Sequence, residues 1–273
     1  MAQSISYREH QVHLYSEGKG EKILFLHGWP NNANLWQQQV AALKEQYQVL
    51  SLDWLGFGQS DHPLNHTYTF TSMKEILATV LDELLQPGEK VTLVAHDIGG
   101  PPALLWASEH PERLQRLILL NTIFYPLQTK LDALSDRILH TPLLRDMFVS
   151  RLGLKQVLRT NVKSRYPELS ARIHQLVEDF LKVPQRVRQK TILEPVGMGR
   201  SQETLRLPAL FGALAVPKFL IIADRDPLLY AHMKRLQEAF PEVPVYPLPG
   251  CSHYIPLDQP AELNAHLQSI LKE

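Results

Sequence analysis

Residues 91–107 read VTLVAHDIGGPPALLWA: a short apolar, β-branched run, a glycine-flanked corner and a helical stretch in immediate succession. Apart from Thr92 the run is apolar, as a strand covered on both faces should be. Pro101 and Pro102 fit the first turn of the helix, where a missing amide loses no hydrogen bond. The residue at the corner is Asp97, and a carboxylate at such a place asks for a chemical reason.

Outward from this stretch the same alternation repeats. Strand-like runs occur as QVHLYSEG (11–18), KILFLHG (22–28), YQVLSLDWLG (47–56), LQRLILLNT (114–122), PKFLIIADRD (217–226) and VPVYPLPG (243–250). Between most of them lie segments with an apolar stripe at helical spacing: 34–46, 70–85, 101–114, 226–240 and 261–273. Such alternation predicts parallel strands joined by crossover helices. The rhythm breaks between Tyr125 and Arg206, where only helical pattern is seen. This reads as a helical cap (125–206) inserted into an α/β core (1–124 and 207–273). From Pro126 to Arg206 the chain carries 15 Lys/Arg against 8 Asp/Glu, leaving 13 against 20 elsewhere. The basic cap and acidic core therefore attract each other, or the cap attracts anions.

Composition limits the remaining classes. The 273 residues, 44% of them hydrophobic, are enough to bury a large core and enclose a pocket. Basic and acidic residues balance at 28 each, which makes nucleic acid a poor partner. One cysteine, Cys251, makes no internal disulfide and no cysteine metal cluster, and suits a reducing compartment. The start shows no basic segment followed by an apolar one, and no apolar run approaches membrane-spanning length. The expectation is a cytoplasmic protein with neither membrane nor nucleic-acid partner, monomeric or homodimeric.

Ala95-His96-Asp97-Ile98-Gly99 has the small-x-nucleophile-x-small layout of a nucleophile elbow, with the strand before and the helix after that the motif requires. The plainer reading, an aspartate capping the helix, leaves the sharp corner unexplained. A serine attacking a saturated carbon would make an ether that no histidine can hydrolyse. An aspartate makes an ester, which histidine-activated water cleaves at its carbonyl, regenerating the enzyme. Asp97 therefore points to saturated-carbon electrophiles such as epoxides or alkyl halides.

The second step needs a base, an orienting acid and an oxyanion hole. His253, in PGCSHY (249–254), follows the last strand on a loop at its C-terminal end, where open parallel sheets gather their sites. The order nucleophile, acid, histidine leaves the acid to LIIADRDPLL (220–229). Asp226 is preferred over Asp224 because it stands further into the loop. In LHGWP (26–30), the backbone N–H of Trp29 is placed to join that of Ile98 against an oxyanion. Two other signals fail: the His96-Asp97 pair lacks further metal ligands, and DWLGFGQSD (53–61) lacks the Lys-Ser/Thr of a phosphate loop and reads as a structural turn.

HGWP, DWLGFGQSD, VAHDIGG, ADRDP and PGCSHYIPLDQP, in this order and over nearly the whole chain, resemble the α/β-hydrolase superfamily, in particular its aspartate-nucleophile branch of epoxide hydrolases and haloalkane dehalogenases. The resemblance implies an eight-stranded, mostly parallel sheet with a lid after the sixth strand, and no cofactor or metal. It implies Asp97 as nucleophile, His253 as base and Asp226 as its acid, acting on a small apolar organic substrate and water. The sequence departs from the dehalogenase pattern at Ile98, where that branch has a tryptophan after the nucleophile. The aromatic-Pro form of Trp29-Pro30 looks like the epoxide hydrolases. Their paired cap tyrosines are not matched in position; Tyr166 is the candidate donor to the leaving oxygen, with His140 as a replacement and Trp29 offering one indole N–H. Epoxide hydrolysis is thus expected ahead of dehalogenation. An esterase or lactonase using Asp97 through a mixed anhydride, and a catalytically silent binding protein on the same fold, are the rivals.

Overall fold

The computed structural model describes residues 2–126, 137–138, 140–150, 152–154, 156, 167–198 and 202–273. Eight strands form one sheet: β1 (Ala2–Tyr7), β2 (His10–Glu17), β3 (Lys22–Leu26), β4 (Gln48–Leu52), β5 (Val91–Asp97), β6 (Leu114–Thr122), β7 (Lys218–Ala223) and β8 (Val245–Leu248). Their order is β1-β2-β4-β3-β5-β6-β7-β8. The pairs β1/β2 and β2/β4 are antiparallel and all others parallel. All seven residues of β5 are buried, which is why 91–97 carries no polar alternation. Leu26 pairs with both Leu52 and Ala95, so the C-terminal ends of the three central strands lie level.

β1 is the strand that the local sequence does not announce. AQSISY leaves four of its six residues exposed and is held as a hairpin partner of β2, from Ala2 against Tyr15 to Tyr7 against His10. It is an edge strand resting on backbone pairing, so it needs little apolar side chain.

The core helices are α1 (Gln37–Leu43), α2 (Phe70–Leu84), α3 (Gly100–Glu109), α8 (Tyr230–Ala239), α9 (Ile255–Asp258) and α10 (Pro260–Ile270), numbered with four others between β6 and β7. α2 starts with a capping box between Thr69 and Ser72 and buries Phe70, Met73, Ile76, Leu77, Val80 and Leu81 at helical spacing. α3 ends five residues before its periodicity suggests, because Pro111 disfavours helical backbone at His110. α8 likewise starts only at Tyr230: the Asp226 side chain accepts the N–H groups of Leu228 and Leu229 and holds the chain in a turn.

Between β6 and β7 the described residues contain helices α4 (Pro142–Phe148), α5 (Pro167–Leu181), α6 (Gln185–Met198) and α7 (Gln202–Ala213), and no strand. This order accords with a core of 1–124 and 207–273 and a cap of 125–206, a division we propose; α7 crosses the later boundary and packs on α3. The cap is tied to the core by Lys190, which donates to the Leu64 carbonyl at 3.0 Å, and by Glu194, which accepts the Tyr68 N–H at 2.5 Å. Among the described residues no helix is long and apolar enough to cross a membrane.

Candidate active site

The corner after β5 folds as the small residues allow. Asp97 has φ 54°, a left-handed conformation that a non-glycine residue adopts only when its surroundings hold it there. The Thr122 hydroxyl donates to the Asp97 carbonyl at 2.6 Å and fixes the bend from β6. A side chain at Gly99 would press on the carbonyls of Leu26 and His27, so the absence of a Cβ lets the corner close on β3. Asp97 is thereby thrust above the sheet into the loop that follows β3.

That loop meets it with donors. The Trp29 N–H donates to Asp97 Oδ2 at 2.8 Å, and the Ile98 N–H also acts on the carboxylate. Gly28 makes this approach feasible, since a Cβ there would overlap the Asp97 side chain. The loop is braced from below: Trp54 Nε1 donates to the His27 carbonyl at 3.0 Å, and the Trp54 N–H to His27 Nε2 at 3.3 Å. His27 Nδ1 then carries the proton and donates to the Gly28 carbonyl at 2.9 Å. DWLGFGQSD is the turn that supplies this brace; Asp53 accepts the N–H groups of Ala33 at 2.6 Å and Gln59 at 2.8 Å.

His253 and Asp226 stand on neighbouring loops, after β8 and β7. His253 Nδ1 lies 2.9 Å from Asp226 Oδ2, with both side chains buried. The sequence missed the group behind them. Asn121, at the end of β6, donates through Nδ2 to Asp226 Oδ2 at 2.9 Å and to the Ala223 carbonyl at 3.0 Å, while its Oδ1 accepts the Ala223 N–H at 3.0 Å. A polar residue closing the apolar run LQRLILLN was its only signal. Asp224 does not reach the histidine; it accepts the Gly250 N–H at 2.7 Å and shapes the loop that carries it.

The charges follow from this arrangement. Burial opposes ionisation of Asp226, but the His253 charge and the hydrogen bonds from His253, Asn121 and Leu228 outweigh it and hold the carboxyl well below the usual carboxylate range. Burial likewise opposes a charged His253, yet the charge and hydrogen bond of Asp226, with the charge of Asp97, raise it to about 9. Asp97 is raised, chiefly by burial, with the His253 charge and the N–H groups of Trp29 and Ile98 acting against the shift.

Above Asp97 the walls are aromatic. The Trp29 ring stacks on Phe148 of α4 at 5.8 Å with 10° between planes, and meets Phe180 of α5 edge-on at 5.6 Å; Phe180 in turn stacks on Phe57 at 5.7 Å. Trp29 Nε1 is buried and has no hydrogen-bond partner among the described residues. Of the other donors expected in the cap, Tyr166 lies outside the described residues and His140 is exposed. Among the described residues no group of three His, Cys, Asp or Glu side chains is placed to hold a metal.

Known proteins share this frame. Residues 22–260 match the family model described as alpha/beta hydrolase fold. The chain is 27% identical to cis-3-alkyl-4-alkyloxetan-2-one decarboxylase of Shewanella oneidensis, over 98% of this chain and 87% of that one. It is 25% identical to haloalkane dehalogenase 2 of Mycobacterium tuberculosis (93% and 89% covered), and 24% identical to epoxide hydrolase 3 of Xenopus tropicalis (98% and 77% covered). Among solved structures, the haloalkane dehalogenase DatA of Agrobacterium tumefaciens superimposes with a TM-score of 0.83 at 22% identity, covering 100% of this chain and 96% of that one. Strand order, elbow and family match agree, and the chain belongs to the alpha/beta-hydrolase family.

Proposed function

We propose that this protein opens an electrophile at a saturated carbon by forming an ester with Asp97, and that water activated by His253 then cleaves that ester. The observation that carries the reading is the hold on the Asp97 carboxylate. Oδ2 accepts the Trp29 N–H, leaving Oδ1 as the attacking oxygen. After attack Oδ2 is the ester carbonyl oxygen, already against the Trp29 N–H where negative charge gathers when water adds. The charge logic runs in the same direction. In the resting site Asp97 helps hold His253 protonated. Alkylation removes the Asp97 charge, so His253 becomes easier to deprotonate at the step that needs a base. Its Nδ1 is engaged by Asp226, so Nε2 is the nitrogen left for water.

The leaving group selects the substrate. Ile98 supplies no side-chain donor, whereas the indole N–H of Trp29 is buried without a partner among the described residues, in an aromatic enclosure. A buried donor in apolar walls suits a small apolar molecule whose strained ring oxygen leaves by ring opening, and epoxide hydrolysis is the reading we favour over dehalogenation. The test is a His253→Gln variant, incubated with a panel of epoxides and haloalkanes and examined by intact mass. An epoxide should add its full mass at Asp97, and a haloalkane its mass less the hydrogen halide. No adduct from any member would overturn the reading.

A second reading keeps Asp97 and changes the ending. It is favoured by the similarity, over nearly the whole chain, to a protein named for decarboxylating an oxetan-2-one. Attack of Asp97 on the ring carbon that bears the ring oxygen forms the ester and breaks that C–O bond, leaving a carboxylate. Loss of CO2 then forms the C=C bond and returns the electron pair to Asp97. No water is consumed, so His253→Gln would still turn over such a lactone to alkene while stalling on an epoxide.

A further inference from the structure

His96 directly precedes the nucleophile in β5 and is completely buried. Its Nε2 lies 2.9 Å from the carbonyl oxygen of His253. A carbonyl only accepts, so Nε2 bears the proton and Nδ1 is bare. Nδ1 is buried with no hydrogen-bond partner among the described residues. The two imidazole rings face each other with centroids 4.9 Å apart and planes at 49°. A leucine would fill such a place with no unpaired polar atom, and an unpaired atom in a dry interior carries a cost. That cost calls for a compensating use of the other nitrogen.

We propose that His96 is a positioning residue for the water-activating step, anchoring the backbone of the base to the strand that carries the ester. This rests on the reading of Asp97 as nucleophile and His253 as base. The His253 ring is held at Nδ1 by Asp226 on the loop after β7, and its carbonyl accepts both His96 Nε2 and the Ile255 N–H at 3.0 Å. Of these holds, only that of His96 comes from β5. It fixes the distance between the base and an ester one residue along the chain. Burial, and the neighbouring charge of His253, hold His96 down at about 3, so it stays neutral and adds no second positive charge when His253 takes the proton from water. Attack by the ionised Asp97 needs no base, so His96 matters less in the alkylation step.

His96→Leu removes the donor, and His96→Gln keeps an N–H within reach of the carbonyl. With an epoxide that His253→Gln has been shown to trap, His96→Leu should slow ester hydrolysis about tenfold to a hundredfold, the range expected when a reacting group is displaced by up to an ångström. Single-turnover alkylation should change much less, so the alkyl-enzyme accumulates in intact-mass spectra, and His96→Gln should recover most of the hydrolysis rate. If His96→Leu does not fold, His96→Asn, whose amide is too short to span the gap, is read in the same way. Equal slowing of both steps, or hydrolysis at the wild-type rate, overturns the positioning role while the trapped adduct still supports Asp97 as nucleophile. If His253→Gln traps no adduct, both proposals fall together.

Discussion

Asn121 Nδ2 and His253 Nδ1 converge on one oxygen of Asp226, each at 2.9 Å, while the other oxygen takes two backbone N–H groups. The carboxylate is saturated with donors and cannot swing. Asn121→Ala should therefore leave alkylation of Asp97 nearly untouched and slow release of the ester. A hydrogen bond to a charged group contributes about 1.5–3 kcal/mol, so hydrolysis should fall by about tenfold to a hundredfold. Rapid-quench measurement of the adduct and product checks the split; equal loss in both steps would contradict it.

His253 should report on Asp97 by its own titration. The folded value is raised to about 9, and the negative charge of Asp97 is one of the causes. Asp97→Asn removes that charge, so the His253 ring resonances should titrate at a lower pH than in the wild type. Stability must follow with the matching sign. A folded value above the unfolded one near ~6.5 stabilises the fold fully below ~6.5, and that stabilisation is lost as pH rises through about 9. The wild type should lose more stability than Asp97→Asn across this window, measured by denaturant unfolding at several pH values. Turnover should fall on the acid side at a pH above the ordinary carboxylate range, because burial raises Asp97 and only the ionised form attacks.

At Gly28 the loop after β3 passes directly against the Asp97 side chain. A methyl group there would overlap the Asp97 Cβ and carboxyl, which the β5 corner and Thr122 hold in place. Gly28→Ala should therefore displace the Trp29 N–H from Oδ2 and lower kcat/KM by about a hundredfold or more, as a displacement of about 1 Å does. The strand-to-loop backbone needs no positive φ at Gly28, so the protein should still fold. Activity close to wild type in a folded Gly28→Ala protein would show that this close approach is not needed for chemistry.

Much of this candidate site is legible in the sequence because its residue types are tied to particular backbone places. A carboxylate at a sharp strand-to-helix corner, a histidine on the last loop and HGW after an apolar strand each announce their surroundings. Seven strands showed themselves because burial on one or both faces makes them apolar. β1 did not, since an exposed edge hairpin is held by its backbone and AQSISY looks like a loop. Asn121 escaped for another reason. Its meaning exists only once β6 lies beside β7 and brings it against Ala223 and Asp226, and nothing within LQRLILLN encodes that neighbour. The sequence shows His96 only as half of an HD pair with Asp97, because its partner is a carbonyl 157 positions away.

Trp29 serves the site twice, and the two services can be separated. Its backbone N–H holds Asp97 Oδ2, whereas its indole Nε1 is a buried donor with no partner among the described residues, on a ring stacked against Phe148. Trp29→Phe keeps the backbone donor and most of the stacked surface and deletes only the indole N–H. The ester hydrolysis step, which depends on the backbone cradle, should then change little. Alkylation should slow by about tenfold to a hundredfold if the indole donates to the departing oxygen or halide as negative charge develops there, the effect expected for a hydrogen bond to a charged group. The pattern is the mirror image of that expected for Asn121→Ala. Measuring both steps in both variants on one epoxide and one haloalkane assigns the two donors to different stages of the reaction. A Trp29→Phe protein that alkylates at the wild-type rate with both substrates would remove the indole from the leaving-group role.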